Sequence, residues 1–202
     1  MPKPDTALIM IDIQNDFCPG GALAVPGGDQ IVAPVNAMQA DYPVRVLTQD
    51  WHPASHASFA SNQPGHDPYS VIEMAYGPQV LWPDHCVQGS TGAAFHKDLA
   101  LDRADLILRK GFRAGIDSYS AFFENDRTTP TGLHGYLRER GVTALVMAGL
   151  ATDFCVRYSA VDAARLGYNV TVMLAACRAI DMDGSLAAAM QDMRTHGVRL
   201  EG

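Results

Sequence analysis

Short, nearly unbroken apolar runs recur along the chain, separated by longer segments in which apolar residues return every three or four positions. The runs at Thr6–Ile13, Val44–Gln49, Leu106–Lys110, Ala144–Ala148 and Val170–Ala175 predict strands, with a weaker one at Gly197–Leu200. A run such as Ala7-Leu8-Ile9-Met10-Ile11 suits a strand covered on both faces, where no polar alternation is needed.

Three segments between the runs predict helices. Thr129 and Pro130 supply an N-cap and a proline at the first helical position, Gly141 supplies a stop, and Leu133, Tyr136 and Leu137 share a face. A second helix is expected from about Cys155 to Leu166, with Val156, Ala160, Ala163 and Ala164 as a narrow stripe and Gly167 as its end. A third is expected over Ser185–Thr195, with Leu186, Met190 and Met193 together and Asp183 as a cap. Alternating strands and helices predict a mostly parallel, doubly wound α/β sheet of about six strands with helices on both faces. One domain over residues 1–202 is expected. The segment from Trp51 to about Ala104 breaks the alternation; it is loop-rich and carries His52, His56, His66, His85 and His96. A loop of that length in a compact domain is usually functional.

Composition narrows the setting. A formal charge of −7 and the lack of a basic run interleaved with aromatics argue against a nucleic-acid surface. Every apolar stretch falls short of the roughly 18 residues of a membrane helix, and Met1-Pro2-Lys3-Pro4-Asp5 lacks the apolar core of a signal peptide. A cytoplasmic protein without membrane contact is expected. Cys18, Cys86, Cys155 and Cys177 are then expected to be free thiols.

In an open parallel sheet, ligands sit beyond the carboxyl ends of the strands. Asp12 closes the first strand, Lys110 closes the third, and Cys155 follows the fourth after the loop Gly149–Phe154. Their chemistry is complementary. A carboxylate can take a thiol proton, and a lysine beside both can hold the carboxylate ionised and stabilise the thiolate. At a helix start, unpaired N–H groups favour negative charge and can receive an oxyanion.

Asp50 and His52, two residues apart, can point to the same side of an extended chain and reach one ion. Imidazole with carboxylate suits zinc, ferrous iron or manganese. The third ligand is open among His56, His66, His85 and His96; His85 is favoured because Trp82, Pro83 and Asp84 suggest a rigid wall. Cys86, adjacent to it, is read as packing.

These residues bring the chain close to a known family. It resembles the nicotinamidases, also called pyrazinamidases, of the isochorismatase-like cysteine hydrolase superfamily. The likeness covers nearly the whole chain and rests on Ile11-Asp12-Ile13-Gln14-Asn15-Asp16-Phe17-Cys18, Asp50-Trp51-His52-Pro53, Trp82-Pro83-Asp84-His85-Cys86, Lys110-Gly111 and Gly149-Leu150-Ala151-Thr152-Asp153-Phe154-Cys155-Val156. The resemblance implies hydrolysis of nicotinamide to nicotinate and ammonia through a cysteine thioester, in NAD salvage, with action on pyrazinamide as well. It implies Asp12, Lys110 and Cys155 as catalytic residues and Asp50, His52 and His85 as ligands of one divalent ion, zinc before iron or manganese. Ser58 would approach that ion directly or through water. Phe17, Trp82 and Tyr119 would form the substrate pocket, and a cis peptide would precede Ala151, whose N–H joins that of Cys155 in an oxyanion hole. A homo-oligomer is compatible with the pattern. Isochorismatases lack the nucleophilic cysteine. Carbamoylsarcosine-type and ureidoacrylate-type amidases keep it without the Asp50, His52 and His85 set, and the intact Asp12, Lys110 and Cys155 argue against a silent metal-binding scaffold.

Overall fold

The computed structural model describes residues 4–202. Its chain forms strand β1 (Thr6–Ile11), helix α1 (Val32–Met38), β2 (Val44–Asp50), a hairpin of β3 (Val71–Met74) and β4 (Gly77–Val80), then β5 (Leu106–Lys110). Helix α2 (Leu133–Glu139), β6 (Ala144–Leu150), α3 (Arg157–Arg165), β7 (Asn169–Arg178), α4 (Ser185–Thr195) and β8 (Arg199–Glu201) follow. Six strands form one sheet in the order β5-β2-β1-β6-β7-β8, and every neighbouring pair is parallel. The doubly wound parallel sheet expected from the sequence is thus present, with a switch point between β1 and β6 where successive crossovers run to opposite edges.

Burial follows the alternation of side chains along each strand. Ala7, Ile9 and Ile11 of β1 pack with Leu133, Leu137, Val156, Ala160, Ala163 and Met193, the inner residues of the α2, α3 and α4 side. Leu8 and Met10 face the other way, onto Val32 and Val35 of α1 and the loop residues Trp82 and Leu99. All six residues of β1 are buried. The edge strand β5 has β2 as its single neighbour and leaves Ile107 46% exposed.

Local chemistry moves several boundaries. β1 stops at Ile11 rather than Ile13 because Asp12 takes a positive φ of 50°. α2 begins three residues after Pro130, because Thr129 is held in a turn by the Asp126 carboxylate, which accepts from its N–H at 2.8 Å and its hydroxyl at 2.6 Å. The segment expected to start the second helix at Cys155 is a π-helical turn over Thr152–Val156, in which Ala151 O accepts from both Phe154 N and Val156 N at 3.1 Å. α4 spans the expected residues, but Gly184 occupies its cap and Asp183 makes no capping bond there. The loop-rich segment contains the β3–β4 hairpin, which the sequence pattern did not predict, and neither did it predict α1. At Gly149 (φ 136°) the backbones of β6 and β1 come so close that a Cβ would fall on the Ile11 main chain. Among the described residues, no helix is long and apolar enough to cross a membrane.

Candidate active site

Four consecutive strands of the sheet end at one cleft. β5 ends in Lys110 and β2 in Asp50, paired directly across the ladder; β1 runs into Asp12, and β6 into Ala151 and the turn carrying Cys155. Residues from four distant parts of the sequence converge because parallel strands place all their carboxyl ends on one edge.

Lys110 sits at the centre, 1% exposed. Its Nζ lies 2.8 Å from Asp12 Oδ2 and 2.5 Å from Asp50 Oδ1, and donates to Ser118 O at 2.9 Å and Cys155 Sγ at 3.4 Å. Burial alone would lower the lysine's pKa, but the two carboxylates outweigh it and hold Lys110 firmly cationic. The carboxylates are not equivalent. Burial lifts Asp12 above its ordinary value against the pull of Lys110, while Asp50, equally buried, is held well below it by Lys110 and the imidazoles of His52 and His85. Asp50 is therefore the fixed anion and Asp12 the carboxyl able to exchange a proton nearer neutrality. Burial also pushes the Cys155 thiol well up, opposed by Lys110. Without an acceptor beside it, this thiol stays protonated.

Thr48, absent from the sequence-derived site, steadies Asp12. Its hydroxyl donates to Asp12 Oδ1 at 2.6 Å and accepts from Asp12 N at 3.2 Å. The Leu150–Ala151 peptide is cis.

Beside this cluster, one atom each of Asp50, His52 and His85 lie within 4.8 Å of one another. His52 Nε2 is 3.6 Å and His85 Nε2 4.0 Å from Asp50 Oδ2. His52 Nδ1 meets Gly111 O and His85 Nδ1 meets Pro83 O, both at 2.8 Å. A proton on each Nδ1 leaves both Nε2 lone pairs facing the carboxylate, the arrangement by which proteins orient imidazoles toward a metal. Burial drives the His85 imidazole down to about 4, so it is neutral at pH 7. Against the effect of burial, Asp50 raises the His52 imidazole above its ordinary value, so that ring must give up its Nε2 proton to ligate. Two imidazole nitrogens and a carboxylate oxygen then fit a divalent ion of the zinc, ferrous iron or manganese type.

The other histidines are placed elsewhere. His56 is buried beside His52, but its Nδ1 accepts from the Ser58 hydroxyl at 2.7 Å and its Nε2 meets Ile116 O at 3.2 Å, so both nitrogens are engaged. Ser58 is thus buried with its hydroxyl on His56. His66 is exposed, and His96 Nδ1 accepts from Asp98 N. Cys86 is fully buried with its thiol pushed well up by burial, consistent with packing.

The cleft at Cys155 is lined by Phe17, Trp82 and Tyr119, and also by Phe154, Leu23, Ile180 and Asp117. The Trp82 and Phe154 rings meet edge to face with centroids 4.9 Å apart, and Tyr119 lies 5.8 Å from Phe154. Tyr119 Oη accepts from Trp82 Nε1 at 3.0 Å and from Gln79 Nε2 at 2.8 Å, and Gln79 also donates to Asp117 at 3.0 Å. The unforeseen hairpin thereby buttresses the aromatic wall through one buried glutamine. Phe154 could have been inferred from its place beside Cys155; Gln79 and Asp117 carried no such signal.

Similarity to known proteins extends over nearly the whole chain. The family described as the isochorismatase domain matches residues 6–201. A nicotinamidase of Acinetobacter baylyi is 54% identical over 193 residues, covering 96% of this chain and 90% of that protein. The solved structure of a nicotinamidase/pyrazinamidase of Acinetobacter baumanii superposes with a TM-score of 0.98 at 50% identity, covering 100% of this chain and 97% of that one. A pyrazinamidase of Pyrococcus horikoshii, solved in complex with zinc, gives a TM-score of 0.78 at 35% identity, with 98% of each chain covered.

Proposed function

The chain belongs to the isochorismatase family, and from that premise we propose that it is a cysteine amidohydrolase that converts nicotinamide to nicotinate and ammonia. The observation that carries this reading is Lys110 held between Asp12 and Cys155 at the floor of an aromatic cleft. Strong likeness to nicotinamidases supports the substrate.

In the proposed cycle the pyridine ring enters between Phe17, Trp82 and Tyr119. Asp12 accepts the Cys155 proton, and the sulfur forms a bond to the carboxamide carbon as the carbonyl π pair moves onto oxygen. The N–H groups of Ala151 and Cys155 hold that oxyanion. Asp12 then gives the proton to the departing nitrogen, the C–N bond breaks, and ammonia leaves a thioester. Water, deprotonated by Asp12, adds to the thioester carbon, and cleavage of the C–S bond releases nicotinate and the thiolate, which recovers its proton. Lys110 keeps its charge throughout and balances whichever of Asp12 or Cys155 is anionic.

Asp50, His52 and His85 would hold a divalent ion, with Ser58 near it. When bound, the ion supplies an electron-pair acceptor for the pyridine nitrogen. The zinc complex of the Pyrococcus horikoshii relative supports such a site. Cytoplasmic NAD salvage is the setting we propose for the reaction, and pyrazinamide is a second expected substrate.

The test is ammonia release from nicotinamide by wild type and Cys155→Ala, each before and after chelation. Release that vanishes in the variant and falls on chelation supports nucleophile, substrate and metal together. Silence from metal-loaded wild type rejects the substrate.

A further inference from the structure

Beyond Met10 and Leu47, the last pair of the β1–β2 ladder, the main chain of β1 turns away at Asp12 while β2 continues to Asp50. The Gln14 side chain fills the gap. It is fully buried, and its amide bonds both main-chain groups of Asp50: Oε1 accepts from Asp50 N at 2.8 Å and Nε2 donates to Asp50 O at 2.8 Å. The second Nε2 proton goes to Ala93 O at 2.9 Å. In a parallel ladder the N–H and C=O of one residue point to the same neighbour, so this amide stands in for the missing strand.

We infer that Gln14 is a positioning residue, acting through the backbone of Asp50 on the metal site and on Lys110 at once. Asp50 spends one carboxylate oxygen on Lys110 and turns the other toward His52 and His85. A small rotation of its backbone would misplace both. The residue on the far side offers no substitute, since Trp51 N already donates to Lys110 O. Gln14 is not itself among the residues that line the cleft. The inference rests on Asp50 being a metal ligand, as proposed above.

The experiment measures zinc affinity by competition with a chromophoric chelator for full-length Gln14→Leu and Gln14→Glu. Gln14→Glu conserves volume and the acceptor for Asp50 N, but places a carboxylate against two carbonyls. Two controls accompany them. Gln39→Leu removes an equally buried amide, bonded to Asn36 and Ala100 O away from the cleft, and Asp50→Asn tests the ligand itself. Both Gln14 variants should bind zinc about 10–100-fold more weakly, as expected on loss of a group that orients a ligand, and Gln39→Leu should stay within about twofold. Activity of the Gln14 variants should recover as zinc is raised. In zinc-free protein, the alkylation rate of the Cys155 peptide should also change in the Gln14 variants and not in Gln39→Leu. Wild-type zinc affinity in either Gln14 variant, with affinity lost in Asp50→Asn, overturns the inference, as does an equal loss in Gln39→Leu. Wild-type affinity in Asp50→Asn overturns instead the ligand reading beneath it. If Gln14→Leu does not fold, Gln14→Glu decides.

Discussion

Replacing Lys110 by Met keeps the length of the side chain and deletes its charge. Asp12 Oδ2 loses a cation at 2.8 Å, worth about 6 kcal/mol at an effective dielectric constant of about 20. Asp50 and Asp12, with oxygens within 4.8 Å of each other, then repel by about 3 kcal/mol on the same basis. Burial already lifts the Asp12 carboxyl, so the loss drives it further toward the protonated form, in which it cannot accept the Cys155 proton. A shift of 6 kcal/mol corresponds to a factor on the order of ten thousand in that equilibrium, partly offset by water entering the cavity. The expected result is a fall of about a thousandfold or more in kcat/KM for ammonia release from nicotinamide. The remaining activity should rise with pH, because a carboxyl with a raised pKa becomes a base only at higher pH. The variant should also be less stable at pH 7 by about 3–5 kcal/mol in urea unfolding, with the difference shrinking as acid neutralises the stranded carboxylates. Activity within tenfold of wild type with an unmoved acid limb would refute the assignment of Lys110 to Asp12.

Thr48→Val keeps shape and removes the 2.6 Å bond to Asp12, worth about 1.5–3 kcal/mol for a charged acceptor. A loss of roughly 10–100-fold in kcat/KM, with the acid limb of the pH–rate profile moved upward, is expected. Gly111 adopts φ 66°, and a Cβ there would run into the His52 ring. Gly111→Ala should therefore weaken zinc binding about tenfold or more and lower the melting temperature, both read by zinc titration and thermal melts. In zinc-free protein, the depressed pKa of Asp50 contributes stability that is present above the ordinary carboxyl pKa and is lost progressively as pH falls below it toward the much lower folded value. Urea midpoints between pH 6 and pH 3 should fall more for wild type than for Asp50→Asn.

What could be read from the sequence alone was what local pattern encodes. Strands buried on both faces announce themselves as apolar runs, and the reactive residues at their ends follow from the rule that parallel sheets gather function at their carboxyl edge. α1 escaped because it is short, with Pro34 in its first turn and only Val32 and Val35 buried, too few positions to define a period. The β3–β4 hairpin escaped because all its side chains except that of Gln79 are partly or fully exposed and its strands pair only with each other. Gln14, Thr48 and Gln79 look like ordinary polar residues in sequence; their importance lies in bonds to residues 36 to 40 positions away. Helix caps depend on side-chain competition, and Asp126 capturing Thr129 is invisible to propensity.

The edge position of β5 bears on how such an enzyme would wear out. The proposed base and nucleophile, Asp12 and Cys155, follow adjoining central strands, clamped where Gly149 meets Ile11, but the ammonium between them is delivered by a strand with one neighbour and an exposed Ile107. Fraying of that strand, or its capture by another chain, would withdraw the charge while the centre of the sheet stayed folded. Heat or storage should thus extinguish turnover well before circular dichroism records any melting, and shelf life would be governed by the periphery.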